Sequence, residues 1–199
     1  MRLPRFYCPG PLAAGARLAL PPDAAHHALR VLRMKQGEAL LVFDGQGREF
    51  RAQIHSIQRA EVMVTVEDAT GSDREPPLPV ILAQGISSGE RMDYTLQKAV
   101  ELGVTEIWPI AAERSVVRLM GERAEKRLLH WRRVVIAACE QSGRSRLPRL
   151  LPVQPLADWL DGFSGHGVVL DPRAEQNLSA CPRPAGASSA LVGPEGGLT

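Results

Sequence analysis

Residues 80–112 read VILAQGISSGERMDYTLQKAVELGVTEIWPIAA, and their three-part pattern decides how the second half of the chain folds. "VILAQGI" (80–86) is a continuous apolar run of strand length, as expected of a strand covered on both faces. "GERMDYTLQKAVELG" (89–103) switches to helical spacing, with Met92, Leu96, Ala99, Val100 and Gly103 along one face. "VTEIWPIAA" (104–112) returns to strand. The alternation continues downstream. "GERAEKRLLHWRRVVIAACEQSG" (121–143) is a long helix whose apolar side includes Leu128, Trp131, Val135 and Ala138, and "HGVVLD" (166–171) and "SALVG" (189–193) are short apolar strands. Strands alternating with helices predict an α/β domain built on a mainly parallel sheet.

Upstream the pattern is different. "EALLVFDG" (38–45) and "REFRAQIHSI" (48–57) flank Gly45-Gln46-Gly47, a hairpin turn signal, and "EVMVTVEDA" (61–69) alternates as a further strand. "DAAHHALRVLRM" (23–34) reads as a short helix that Asp23 can cap. These elements predict a small β-barrel with one helix. Between the two regions "TGSDREPPLP" (70–79) is polar and then proline-rich, as a linker would be. The expected domains are therefore residues 1–72 and 73–199.

Composition narrows the class. The chain has 199 residues, 44% hydrophobic and 23% charged, as in ordinary globular proteins. No apolar run reaches membrane-spanning length and the N-terminus has no signal core, so the expectation is a cytoplasmic protein with no membrane partner. Cys8, Cys139 and Cys181 are three and far apart, which gives neither a disulfide framework nor a metal spacing. His26 and His27 are adjacent on a helix and point in different directions, so they are poor co-ligands. No metal is expected. Net charge is only +2, yet residues 114–149 hold ten Lys/Arg against three Asp/Glu, and residues 150–199 hold two Arg against five acids. A basic centre beside an acidic tail fits a polyanionic partner, and equally a solvated helix.

"SALVGPEGGLT" (189–199) places a glycine-rich turn at the end of an apolar strand. In α/β sheets ligands bind outside the carboxyl ends of the strands. Glycines let a ligand approach the backbone, and Pro194 stiffens the turn. The stretch lacks the Gly-Lys-Ser/Thr ending of a phosphate loop, and Glu195 would repel phosphate, which argues against a nucleotide hydrolase. A flat, polar small molecule held by backbone groups fits the loop; so does a plain strand-to-helix turn.

Six stretches occur in order: "PRFYC" (4–8), "HHALRVLRMKQGEALLVFDGQGREF" (26–50), "LQKAVELGV" (96–104), "ERSVV" (113–117), "EQSGR" (140–144) and "LVGPEGG" (191–197). In these the chain resembles, over nearly its whole length, the RsmE family, which methylates N3 of a uridine in 16S rRNA of the small ribosomal subunit. The resemblance implies a PUA-like β-barrel at the N-terminus and a SPOUT-class α/β methyltransferase domain after it. It also implies S-adenosylmethionine as cofactor in a C-terminal trefoil knot, 16S rRNA or the small subunit as partner, and a homodimer. The family continues past the glycine loop with a helix, a strand, a Leu-Gly-x-x-x-Leu-Arg loop and a last helix. The chain stops at Thr199, so the knot is expected to be incomplete here. The alternative function is a non-catalytic RNA-binding protein that keeps the barrel and the basic face.

Site roles follow residue by residue from the resemblance. Gly193, Pro194, Glu195, Gly196 and Gly197 match the cofactor loop, and Leu170 the neighbouring strand end. Methylation at N3 requires an anionic base, which a cation beside the uracil oxygens would stabilise. Arg144 and Arg114 are the candidates, with Glu140 to orient one of them or accept the proton. A structural ion pair at a helix end is the competing reading. Lys98 and Glu101 are expected to pair with each other along their helix. Arg5, Arg30 and Arg33 would hold RNA backbone on the barrel.

Overall fold

The computed structural model describes residues 3–70, 75–113, 121–171, 173–195 and 197–198. The chain divides into two compact units. The first comprises residues 1–75 together with 139–147, the second residues 76–138 and 148–199.

The first unit is a five-stranded sheet with one helical segment. Its strands are β1 (Arg5–Tyr7), β2 (Arg17–Ala19), β3 (Ala39–Phe43), β4 (Glu49–Gln58) and β5 (Glu61–Ala69), in the order β1-β3-β4-β5-β2. β1 runs parallel to β3 and the other pairs are antiparallel. The expected hairpin joins β3 to β4, with Phe43 opposite Glu49 and positive φ at Gly45 and Gly47. β4 alternates strictly at first: Phe50, Ala52 and Ile54 are buried, while Arg51, Gln53 and His55 face out. Two register shifts between β4 and β5 bend the pair. The core is Phe6, Leu40, Val42, Ile54, Val62 and Val64 with their neighbours. Over it lies helix α1 (Pro22–His26), which runs into a π-helical turn over His27–Val31. The exposed His27 ring meets Phe6 edge-on with centroids 5.9 Å apart.

Residues 139–147 bind the same unit. The Leu147 N–H donates to Gly45 O (2.9 Å) and the Gly47 N–H donates to Ser145 O (3.1 Å). A side chain at Gly45 would crowd Tyr7 and Leu147 at about 3 Å, so this hairpin glycine serves a close approach as well as a turn.

The second unit is a parallel α/β sheet. Its elements are β6 (Val80–Gly85), α2 (Gly89–Glu101), β7 (Glu106–Ala111), α3 (Glu122–Ser142, whose residues from Cys139 onward belong to the first unit), β8 (Arg149–Leu150), β9 (Gln154–Pro155), α4 (Leu156–Asp161), β10 (His166–Leu170) and β11 (Ser188–Val192). The strand order is β10-β11-β6-β7-β8, with β9 also pairing β7, and every pairing is parallel. α2 buries Met92, Leu96, Ala99 and Val100, and α3 buries Trp131, Val135 and Ala138, as their spacing predicts. Gly103 ends α2 with φ +89, and Pro76 packs where its side chain would stand. β8, β9 and α4 are too short to show a period in the sequence. The predicted α/β domain with a parallel sheet, preceded by a small β-domain, is therefore present.

Candidate active site

β10 and β11 are neighbours in register, with Leu170 opposite Val192, so the segments that leave their carboxyl ends start side by side. At this position the sheet carries a cleft of about 930 Å³. Its walls include Leu170, Gly193, Pro194, Glu195 and Gly197, five of the six residues expected to hold the cofactor. The sixth, Gly196, lies outside the described residues.

The loop is shaped from three directions. The Gly197 N–H donates to Pro194 O (2.9 Å), closing a turn in which Gly197 has φ +86. Beneath it lies Gly85, the last residue of β6. A Cβ there would strike the Pro194 ring and stand 2.5 Å from the Pro194 nitrogen and 3.0 Å from the Gly193 carbonyl carbon. The third constraint is Glu195. Its Oε1 accepts from the Ser88 N–H (3.3 Å), the Ser88 hydroxyl (3.2 Å) and Arg91 Nη1 (3.0 Å). The carboxylate is thereby held at the N-terminus of α2, where a negative charge is favoured. A hydrogen bond from its own backbone, then Arg91, then Ser88, keep its pKa below the usual carboxylate value. In the structure the Glu195 carboxylate fastens the loop.

The rest of the lining combines apolar and polar groups. Leu170 and Leu178 expose their side chains, and Asp171, Gln176 and Cys181 stand beside them. Asp171 is kept anionic below its ordinary range by hydrogen bonds from Arg173. Gly85, Ser88, Arg91 and Asp171 were missed from sequence. Gly85 closes the apolar run that marks a strand, and its position at the strand's carboxyl end was the signal available.

The candidate catalytic and RNA-binding residues belong to the first unit or lie outside the described residues. Arg114 lies outside the described residues. Arg144 is 7% exposed, and its Nε and Nη2 donate to Glu75 at 2.6–3.0 Å. A buried guanidinium neutralised by a carboxylate has little net charge to lend to a uracil anion, so the ion-pair reading of Arg144 is the one the structure favours. Glu140 Oε1 accepts the Tyr7 N–H (3.0 Å). Burial raises the Glu140 pKa against the opposing effects of that N–H and of Arg5. Arg5, expected to hold RNA backbone, is buried in the structure. It is 7% exposed, pairs with Glu49 (2.6 Å), and donates to Cys139 O (2.7 Å) and Ser145 Oγ (2.9 Å). Phe43 lies under its guanidinium at 4.8 Å. This arginine fastens residues 139–147 to β1 and β4 and has no face to offer a phosphate. Arg30 and Arg33 are exposed. Lys98 and Glu101 pair as expected, at 2.7 Å.

Among the described residues no group of three or more His, Cys, Asp or Glu is arranged to hold a metal, and no helix is long and apolar enough to cross a membrane.

A family model for the RNA methyltransferase domain matches residues 74–199, and one for the RNA methyltransferase PUA domain matches residues 20–67. The two units and the cleft thus define an RNA methyltransferase with an N-terminal PUA domain. Ribosomal RNA small subunit methyltransferase E of Bacillus subtilis is 32% identical over 89% of this chain and 73% of its own length. The crystal structure of a ribosomal RNA small subunit methyltransferase E from Neisseria gonorrhoeae, bound to S-adenosyl methionine, is 42% identical with a TM-score of 0.93, covering all of this chain and 82% of that one. A putative methyltransferase from Legionella pneumophila in complex with the same cofactor is 36% identical with a TM-score of 0.96, over all of this chain and 83% of its own. The chain belongs to the ribosomal RNA small subunit methyltransferase E family.

Proposed function

We propose that the protein methylates N3 of a uridine in 16S rRNA of the small ribosomal subunit, using S-adenosylmethionine, and that it works as a cytoplasmic homodimer. The observation that carries this reading is the cleft at the carboxyl ends of β10 and β11, walled by the glycine loop, in a chain whose solved relatives hold that cofactor at high overall similarity.

The residues present fit the group. The cleft is of the size that takes nucleoside-like ligands. Gly193 and Gly197 carry no side chain to cover their backbone amides and carbonyls, and Leu170 and Leu178 give an apolar platform for a purine. Asp171 is anionic and suits a ribose hydroxyl or an ammonium. When bound, the cofactor supplies an electrophilic methyl group on a sulfonium. The chain's part is to hold the loop in place through Gly85 and Glu195 and to supply charge beside the uracil. Arg144 is already paired with Glu75, so we assign the stabilising cation to Arg114.

The test is methyl transfer to small subunits and to free 16S rRNA prepared from a strain lacking the modification, read by mass spectrometry of the nucleosides. The reading requires 3-methyluridine to appear only with enzyme and cofactor. Tight RNA binding with no methyl transfer would favour the non-catalytic alternative.

A further inference from the structure

The segment after α1 carries a combination of features that the cofactor cleft does not explain. The π-helical turn over His27–Val31 closes with Leu32 N–H donating to His27 O (3.0 Å), and Met34 N–H donates to Ala28 O (2.9 Å). Between them Arg33 adopts φ +54, a left-handed conformation that glycine normally fills. π-turns and strained non-glycine residues concentrate at functional sites. Ala28 and Met34 are buried and anchor the turn at both ends. Four consecutive side chains are thereby pushed outward: Arg30, Val31, Leu32 and Arg33. Val31 is 63% and Leu32 42% exposed, two adjacent aliphatic groups that bury poorly in their own domain. The flanking guanidiniums have no hydrogen-bond or ion-pair partner among the described residues. Residues 22–36 contain one carboxylate, Asp23, against Arg30, Arg33 and Lys35.

A ligand that matches this surface is anionic at two points and apolar and flat between them. An unstacked nucleotide in single-stranded RNA has that form, with phosphates on either side of a base face. We infer that Val31 and Leu32 form a wedge against which one unpaired base of the RNA substrate rests, while Arg30 and Arg33 hold its flanking phosphates. The inference rests on the reading of the protein as an rRNA methyltransferase and adds to it where, and by what chemistry, an unpaired base is gripped. Arg30 and Arg33 flank the aliphatic pair in sequence, and the positive φ of Arg33 ends the helical path directly after it.

The experiment uses the full chain and a small-subunit rRNA fragment, with affinity measured across a salt series. Arg30→Ala/Arg33→Ala should reduce the magnitude of the salt slope by about 1.4, two single-strand phosphates. Val31→Ser/Leu32→Ser should weaken binding about tenfold with the slope unchanged, because no phosphate contact is lost. Leu32→Ala alone, which keeps helix propensity, should show part of that loss. Cofactor affinity and thermal midpoint should stay at parental values in all three. RNA affinity unchanged in the serine variant would overturn the wedge while leaving the functional reading in place. A parent dimer that becomes monomeric in that variant, with RNA affinity intact, would assign the surface to a second copy and also overturn it. A parent chain that neither binds nor methylates RNA would remove the functional reading, and the wedge with it.

Discussion

Gly85 supports Pro194: the end of the central strand β6 passes so close under the glycine loop that a Cβ at residue 85 would lie 2.5 Å from the Pro194 nitrogen. The backbone at Gly193 and Pro194 cannot keep its place with any larger residue beneath it.

Gly85→Ala should therefore lift the loop. Overpacking of this kind costs about 1–3 kcal/mol of stability, and we expect affinity for S-adenosylmethionine to fall at least tenfold by calorimetry. Parental affinity in a folded variant would show that the position of the loop does not govern binding.

Glu195 gives a pH signature. Its folded-state pKa is depressed, so the link to Ser88 and Arg91 is intact above the ordinary carboxylate value of 4.5 and is lost as pH falls through the lower folded value. The thermal midpoint of Glu195→Gln should lie below that of the parent at pH 7, and the two should converge below pH 4.5. A gap that is constant across that range would mean that the carboxylate charge has no part in fastening the loop.

Arg5 makes a stability prediction where an RNA contact was first expected. Removing one partner of a buried pair leaves the other uncompensated, at a cost of about 3–5 kcal/mol. Arg5→Ala should lower the unfolding midpoint markedly through Glu49, Ser145 and the α3 carbonyls, with the salt slope of RNA binding unchanged in whatever fraction stays folded. A parental midpoint combined with a shallower salt slope would restore the RNA role.

The thiols should separate by reactivity. Burial pushes the Cys8 and Cys139 pKa values up to about 12, so neither forms thiolate at neutral pH. Cys181 is partly exposed on the cleft wall. Iodoacetamide at pH 8 should give one adduct, at Cys181 by peptide mass spectrometry, and S-adenosylhomocysteine should slow it. Equal labelling with and without that ligand would place the thiol outside the occupied part of the cleft.

What the sequence determined by itself is what local spacing can encode. The strand at 80–85, the apolar face of α2, the Gly45-Gln46-Gly47 hairpin and the glycine turn after β11 each depend on residues within one or two turns of one another, so period and turn chemistry reveal them. The ordered motifs carried the family as well. Only the tertiary structure could decide which charges pair. Arg5 reaches Ser145 across 140 residues, Arg144 reaches Glu75 across 69 and Arg91 reaches Glu195 across 104. Nothing in the neighbourhood of an arginine in sequence says whether its partner is a phosphate in solution or a carboxylate brought in by the fold. For the same reason the sequence could place Gly85 at a strand's carboxyl end but could not show what constrains it, a proline that approaches from 109 positions away, through the pairing of β6 with β11.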